Sequence, residues 1–151
     1  MAKYYFEDFA VGDRWTFAPW AVTRDDVVAF AAEFDPQPLH MDEAAAAETA
    51  FGGIIASGWQ TTLKCVTPFI VDVMRHTAGL ASPGLDHIRW IRPVRPGDTI
   101  TPRTRVLETA PSNFKPDRGR VHFEFAGLGA AGEAVMTSRG MFFVARRPEE
   151  G

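Results

Sequence analysis

The sequence predicts an α+β domain, with helices first and an antiparallel sheet after them, from three observations. Apolar residues recur at helical spacing through 23–34 and again after Ser57. From Ile88 onward the texture changes to alternation, with Val121, Phe123 and Phe125 on one face against His122 and Glu124 on the other. Clusters of Pro, Gly, Asn and Asp at 95–98, 111–119 and 129–132 supply the turns between the alternating runs. One strand, then helices, then four strands is an α+β order.

Each element has its own justification. Residues 14–22 read as the opening strand. Thr23 is a good N-cap for a helix over 23–34, with Asp25 and Asp26 in its first turn and Val27, Phe30, Ala31 and Phe34 on one side. Pro36 and Pro38 fix their own φ and push their predecessors toward extended geometry, so 35–40 is expected as a stiff turn rather than a helix. Asp42 can cap a short alanine-rich helix over 43–49, which Gly52 and Gly53 end. Ser57 and Gln60 have capping-box spacing ahead of Leu63, Val66, Phe69, Ile70 and Val73, the long central helix. Pro68 lies inside it and predicts a kink. Strands are expected at 88–92, 99–108, 120–127 and 133–146. No repeat or linker divides the chain, so 1–151 is one domain with a flexible tail at 147–151.

Bulk properties exclude several classes. The chain has 151 residues, 46% of them hydrophobic, and a formal charge of −3. It has no long apolar run to span a bilayer and no signal-peptide layout at its start, so a cytoplasmic protein is expected. An acidic balance gives no general attraction to nucleic acid. The single cysteine, Cys65, sits in a helical apolar pattern as a small core residue, and no Cys/His cluster has metal-ligand spacing. Basic residues concentrate in the second half, at Arg89, Arg92, Arg95, Arg103, Arg105, Lys115, Arg118 and Arg120. Arginine grips phosphate with paired hydrogen bonds, although a solvated sheet face produces the same pattern.

The segment FDPQPLHMDEAAAAETAFGGIIASG, from Phe34 to Gly58, carries the chemistry. Asp35 and His40 stand five residues apart across the two prolines. The pattern D-x-x-P-L-H, the small-residue helix and A-F-G-G-I-I-A-S-G after it resemble the MaoC-like hydratases and dehydratases, the family of (R)-specific enoyl-CoA hydratases. FEDFAVGDRW near the start and IRPVRPGDTI at 91–100 are similar to two further segments of that family, in the same order. The resemblance implies a hot-dog fold, a curved antiparallel sheet wrapped around one long helix. It also implies a CoA- or acyl-carrier-linked substrate, and a homodimer, which would hide the open edges of a five-stranded sheet.

Hydration of an α,β-unsaturated thioester needs an activated water, a proton for C2 and a donor for the charge that develops on the thioester oxygen. A carboxylate and an imidazole can supply the first two, and a helix-start N–H the third. The resemblance assigns these roles to Asp35, His40 and Gly58, without saying which of Asp35 and His40 is acid and which is base. It leaves Ser57, Trp59, Arg92, Arg95, Lys115 and Arg118 as candidate substrate contacts, with Trp59, Gln60, Phe69 and Trp90 near an acyl tunnel. Ser57 reads as an N-cap rather than a nucleophile, because G-x-S-x-G spacing is absent. His76, His87 and His122 read as surface or sheet-end residues. No cofactor beyond the CoA of the substrate is expected.

Two departures from the family pattern stand out. Ser57-Gly58 replaces the His-Gly of many members, which removes an imidazole from the site's edge. A helical serine that bonds the carboxylate in some hydratases aligns with Val66, so that hydrogen bond is expected to be lost unless Thr62 or Thr67 replaces it. Two competing functions share the fold. A thioesterase usually carries its carboxylate on or beside the long helix, and no Asp or Glu occurs over 52–71. A non-catalytic acyl-CoA-binding or assembly subunit is the other.

Overall fold

The structure, a computed structural model, describes residues 1–149. Strand β1 (Arg14–Thr16) and strand β2 (Trp20–Ala21) replace the single opening strand expected over 14–22. Pro19 explains the break, since it has no N–H to give to the ladder. Both pieces pair with β4 (Thr99–Pro111), which continues through β5 (Arg118–Leu128) and β6 (Ala134–Ala145) to β3 (Gly79–Trp90). All these pairings are antiparallel, in a six-stranded sheet ordered β1-β4-β5-β6-β3 with β2 beside β4.

Strand β3 is longer than the expected 88–92 and ends before Ile91. Gly79, Pro83 and Gly84 look like turn residues, but an edge strand has one unpaired side and tolerates them. Its pairing with β6 shifts register three times, the last shift falling between Asp86 and Arg89. There His87 has φ 52°, the one non-glycine residue with positive φ among the described residues. His87 and His122 therefore lie within strands rather than at sheet ends, while His76 closes a short 3-10 turn.

Helix α1 (Arg24–Phe34) is capped by Thr23, whose hydroxyl accepts from Asp26 N–H at 3.2 Å. The expected stiff turn after it contains one helical turn, α2 (Pro38–Met41). Proline fits there because the first position of a helix needs no N–H. Asp42 caps α3 (Glu43–Ala47) through Ala45 N–H at 2.9 Å. The central helix α4 (Gly58–Asp72) runs through Pro68 to Asp72. Its capping box does not form: Ser57 Oγ accepts from Trp59 N–H, and the Gln60 amide instead donates to Asp26 O at 3.2 Å.

Helix α4 packs on β4, β5 and β6. Two apolar clusters fill the space between sheet and helices. One gathers Phe69, Val106, Val121, Phe123 and Phe125 around Phe9. The other joins Val22, Val27, Ile54, Ala56, Cys65, Val94 and Val135. The second cluster underlies the site. Arg147, expected in a flexible tail, is held: its N–H donates to Glu7 at 3.0 Å and its guanidinium to Asp8 at 2.7 and 2.8 Å. The remaining tail positions 150 and 151 lie outside the described residues.

Candidate active site

The end of α1, the turn α2 and the start of α4 meet at a cleft of about 420 Å³. Asp35 follows the last residue of α1, its N–H bonded back to Ala31 O at 2.9 Å. His40 sits on α2 and is buried. His40 Nε2 and Asp35 Oδ2 are 3.3 Å apart. His40 Nδ1 lies 2.7 Å from Ile55 O, and a carbonyl can only accept, so Nδ1 carries a proton in this contact. Nε2 presents its lone pair toward Asp35 when the ring is neutral and donates to the carboxylate when the ring is protonated.

Asp35 accepts two further hydrogen bonds. The Gln37 amide donates to Oδ1 and the Ser57 hydroxyl to Oδ2, each at 2.7 Å. Those bonds, first from Gln37 and then from Ser57, hold the carboxyl below the ordinary aspartate range, with His40 adding to the same effect and burial opposing it. Ser57 therefore supplies the hydrogen bond expected to be missing with Val66. Val66 packs on the apolar cluster, and Thr62 bonds Gly58 O rather than the carboxylate. The sequence offered Ser57 as an N-cap and as a candidate substrate contact, but the residue is fully buried and outside the cleft lining, with its hydroxyl on Asp35 instead.

Gly58 is the first residue of α4, so its N–H has no partner within the helix. It lines the same cleft as Asp35, Gln37 and His40. Trp59 and Trp90 line it too, packed edge to face with centroids 5.3 Å apart. Gln60 and Phe69, the other two expected tunnel residues, are buried away from it. Buried Val94, Val135, Ala56 and Ile55 form its floor.

The basic candidates separate. Arg92 lines the cleft. Arg95 is committed nearby, its guanidinium donating to Phe51 O at 2.6 Å. Lys115 and Arg118 do not join them. Arg118 opens β5 opposite Ala145, whereas Trp90 is paired with Met136 at the other end of β6, and Arg118 is paired with Asp117 at 2.7 Å. Ten residue steps along β5 separate Arg118 from Leu128, roughly 33 Å of strand. Arg103 and Arg105 converge on Glu124, Arg105 with two hydrogen bonds of 2.9 and 3.1 Å, so part of the basic half is a sheet-face ion network. Among the described residues no group of three or more His, Cys, Asp or Glu could hold a metal ion, and no helix is long and apolar enough to cross a membrane.

The expected hot-dog arrangement, an antiparallel sheet around one long helix, is present. Comparison with known proteins agrees with that geometry. The chain is 34% identical over 105 residues to YdeM of Bacillus subtilis, an uncharacterized protein, covering 70% of this chain and 74% of that one. It is 35% identical over 100 residues to the MaoC protein of Klebsiella aerogenes, which covers 66% of this chain and only 29% of that longer protein. A MaoC-like dehydratase from Rhodospirillum rubrum superimposes with a TM-score of 0.85 at 38% identity, over 95% of this chain and 98% of that one. The unliganded R-hydratase PhaJ1 of Pseudomonas aeruginosa does so with a TM-score of 0.75 at 26% identity, over 95% and 86%. The family model described as MaoC like domain matches residues 8–123, and the chain belongs to that family.

Proposed function

We propose that the protein is a hydro-lyase that interconverts a 2-enoyl-CoA and its (R)-3-hydroxyacyl-CoA. The observation that carries this reading is the convergence of Asp35, His40 and the unpaired N–H of Gly58 on one cleft. With Nδ1 donating to Ile55 O, His40 Nε2 can accept a proton from a water that Asp35 also holds. Asp35, its basicity lowered by Gln37 and Ser57, orients that water and stabilises the imidazolium. The water oxygen bonds C3, the π electrons move toward the thioester oxygen, and the Gly58 N–H meets the developing charge. His40 Nε2 then returns the same proton to C2. One group working from one side gives syn addition, and dehydration is the reverse. The step is redox-neutral and balances without a cofactor.

Asp35 is the one carboxylate lining the cleft among the described residues. It faces the imidazole rather than lying on the long helix, which favours hydration over thioester hydrolysis. Purified protein with crotonyl-CoA tests the choice. Loss of enoyl absorbance without release of free thiol is expected, and Asp35→Asn and His40→Ala should each lower turnover by at least roughly a hundredfold. Thiol release, or near-wild-type turnover in either variant, refutes the reading.

The working unit in this proposal is a homodimer. Strand β3 is an edge strand of twelve mostly exposed residues, and Leu80 within it and Ile91 just after it are exposed. Pairing with a second copy would satisfy that edge and cover those side chains.

A further inference from the structure

We propose that Trp90 is the specificity-determining wall of the acyl slot and limits the substrate to short 2-enoyl thioesters. The inference rests on the acyl-thioester reading above and adds the chain length. Trp90 is the last residue of β3, and its indole lies flat on Gly58: a Cβ at position 58 would overlap Trp90 Cδ2 and Cε2. The ring is fixed at a second point. Its Nε1–H donates to Thr62 Oγ1 at 3.0 Å, and Thr62 Oγ1 donates in turn to Gly58 O at 2.9 Å. Glycine at 58 is therefore what lets the indole reach the helix, and the first turn of α4 holds the ring in place.

The rest of Trp90 is open, 48% of the residue being exposed, and it lines the cleft. A thioester with its oxygen at Gly58 N–H and its C3 at Asp35 and His40 must lie beside this ring. The floor cannot recede to admit a longer chain, because Val94 and Val135 are 3% and 5% exposed and belong to the packed cluster under the site. The flank along α4 is formed by Trp90, with Trp59 packed edge to face against it. A cleft of about 420 Å³ holds about fourteen water-sized units of roughly 30 Å³ each. In this proposal the thioester and part of the pantetheine share that volume, which leaves space for a few acyl carbons. Removing the indole opens the slot along Thr62.

The test compares wild type, Trp90→Ala, Trp90→Leu and Trp90→Phe. Binding of butyryl-, octanoyl- and dodecanoyl-CoA, which cannot be hydrated, is measured by calorimetry, and kcat/KM is measured for the matching 2-enoyl thioesters. Wild type is expected to favour the shortest chain over the longest by about tenfold or more, a span that a hydrophobic pocket can supply. Trp90→Ala and Trp90→Leu should erase or invert that order, and Trp90→Phe should keep most of it. Equal wild-type affinity for all three chains, no binding of any of them, or an unchanged order in whichever of the Ala and Leu variants folds overturns the proposal. A binding order that moves with Trp90 in a protein that does not hydrate crotonyl-CoA would overturn the hydratase reading and leave the wall standing. Hydration with an order unmoved by Trp90 would do the opposite.

Discussion

Replacing Ser57 by alanine removes two interactions at one atom, and the sum can be estimated. The hydroxyl donates to Asp35 Oδ2 at 2.7 Å and accepts from Trp59 N–H at 3.3 Å. A hydrogen bond to a charged group contributes about 1.5 to 3 kcal/mol. The cap is long and belongs at the low end of its range, about 0.5 kcal/mol. Asp35 keeps Gln37, and its side chain is 16% exposed, so water replaces part of the loss. A net cost of about 2 kcal/mol lowers Tm by roughly 4 to 8 °C in a chain of this size. The loss should depend on pH in a defined direction. Asp35 titrates below the ordinary aspartate value of 3.8, so its charged form stabilises the fold above that value, and the contribution disappears as pH falls through the native one. Thermal melts of wild type and Ser57→Ala should therefore differ most above about pH 4 and converge in acid. Turnover should fall roughly ten- to a hundredfold with KM little changed, since a misaligned Asp35 affects the transition state more than binding. Ser57→Thr retains the donor and should recover most of both losses. An equal stability gap at neutral and acid pH, with normal turnover, would reduce Ser57 to a helix cap.

The other expectations are simpler to check. Arg92→Ala should raise KM for CoA thioesters several-fold at nearly constant kcat, while Lys115→Ala and Arg118→Ala, at the far end of β5, should leave KM unchanged within one protomer's site. Steady-state kinetics at two salt concentrations decides this. Cys65 is fully buried and its thiol is pushed up to about 12 by burial, so it should resist alkylation at pH 8 in the native protein and react on unfolding, as mass spectrometry can show. Light scattering should give a dimer at micromolar concentration, and Leu80→Lys on the β3 edge should shift it toward monomer; a wild-type monomer would refute edge pairing.

Asp35, His40 and Gly58 were legible because one continuous stretch carries all three, and its turns and helix start fix their meeting. What acts across distance was not. The Ser57–Asp35 hydrogen bond spans 22 residues of sequence, and local rules assign Ser57 to its own helix. Gln60 had the spacing of a capping partner, yet the carbonyl of Asp26 competed successfully for its amide. The first half of β3 was hidden because Pro83 and Gly84 mark turns in any isolated reading, and only the sheet order makes them residues of an edge. Charge clustering grouped Lys115 and Arg118 with Arg92 although the β4–β5 hairpin carries them to the opposite end.

The irregularity near His87 decides which side chain faces the cleft. Leu85 lies opposite Gly140 and turns inward to contact its backbone, and Trp90, five positions later, also turns inward onto Gly58. Strict alternation forbids that, since an odd number of steps ends on the other face of a strand. Between Asp86 and Arg89 two residues stand against Ser138 alone, and the left-handed backbone at His87 absorbs the surplus. The strand thus behaves like a reading frame with one inserted letter. Were His87 and Ile88 each to take a place in the ladder, Arg89 would fall on the inner face and the indole would turn out to solvent, whereas deleting either one removes the surplus and leaves Trp90 against Gly58. The bulge that seats both residues at one place, remote from Asp35 and His40 in sequence, keeps an indole rather than a guanidinium on the inner face.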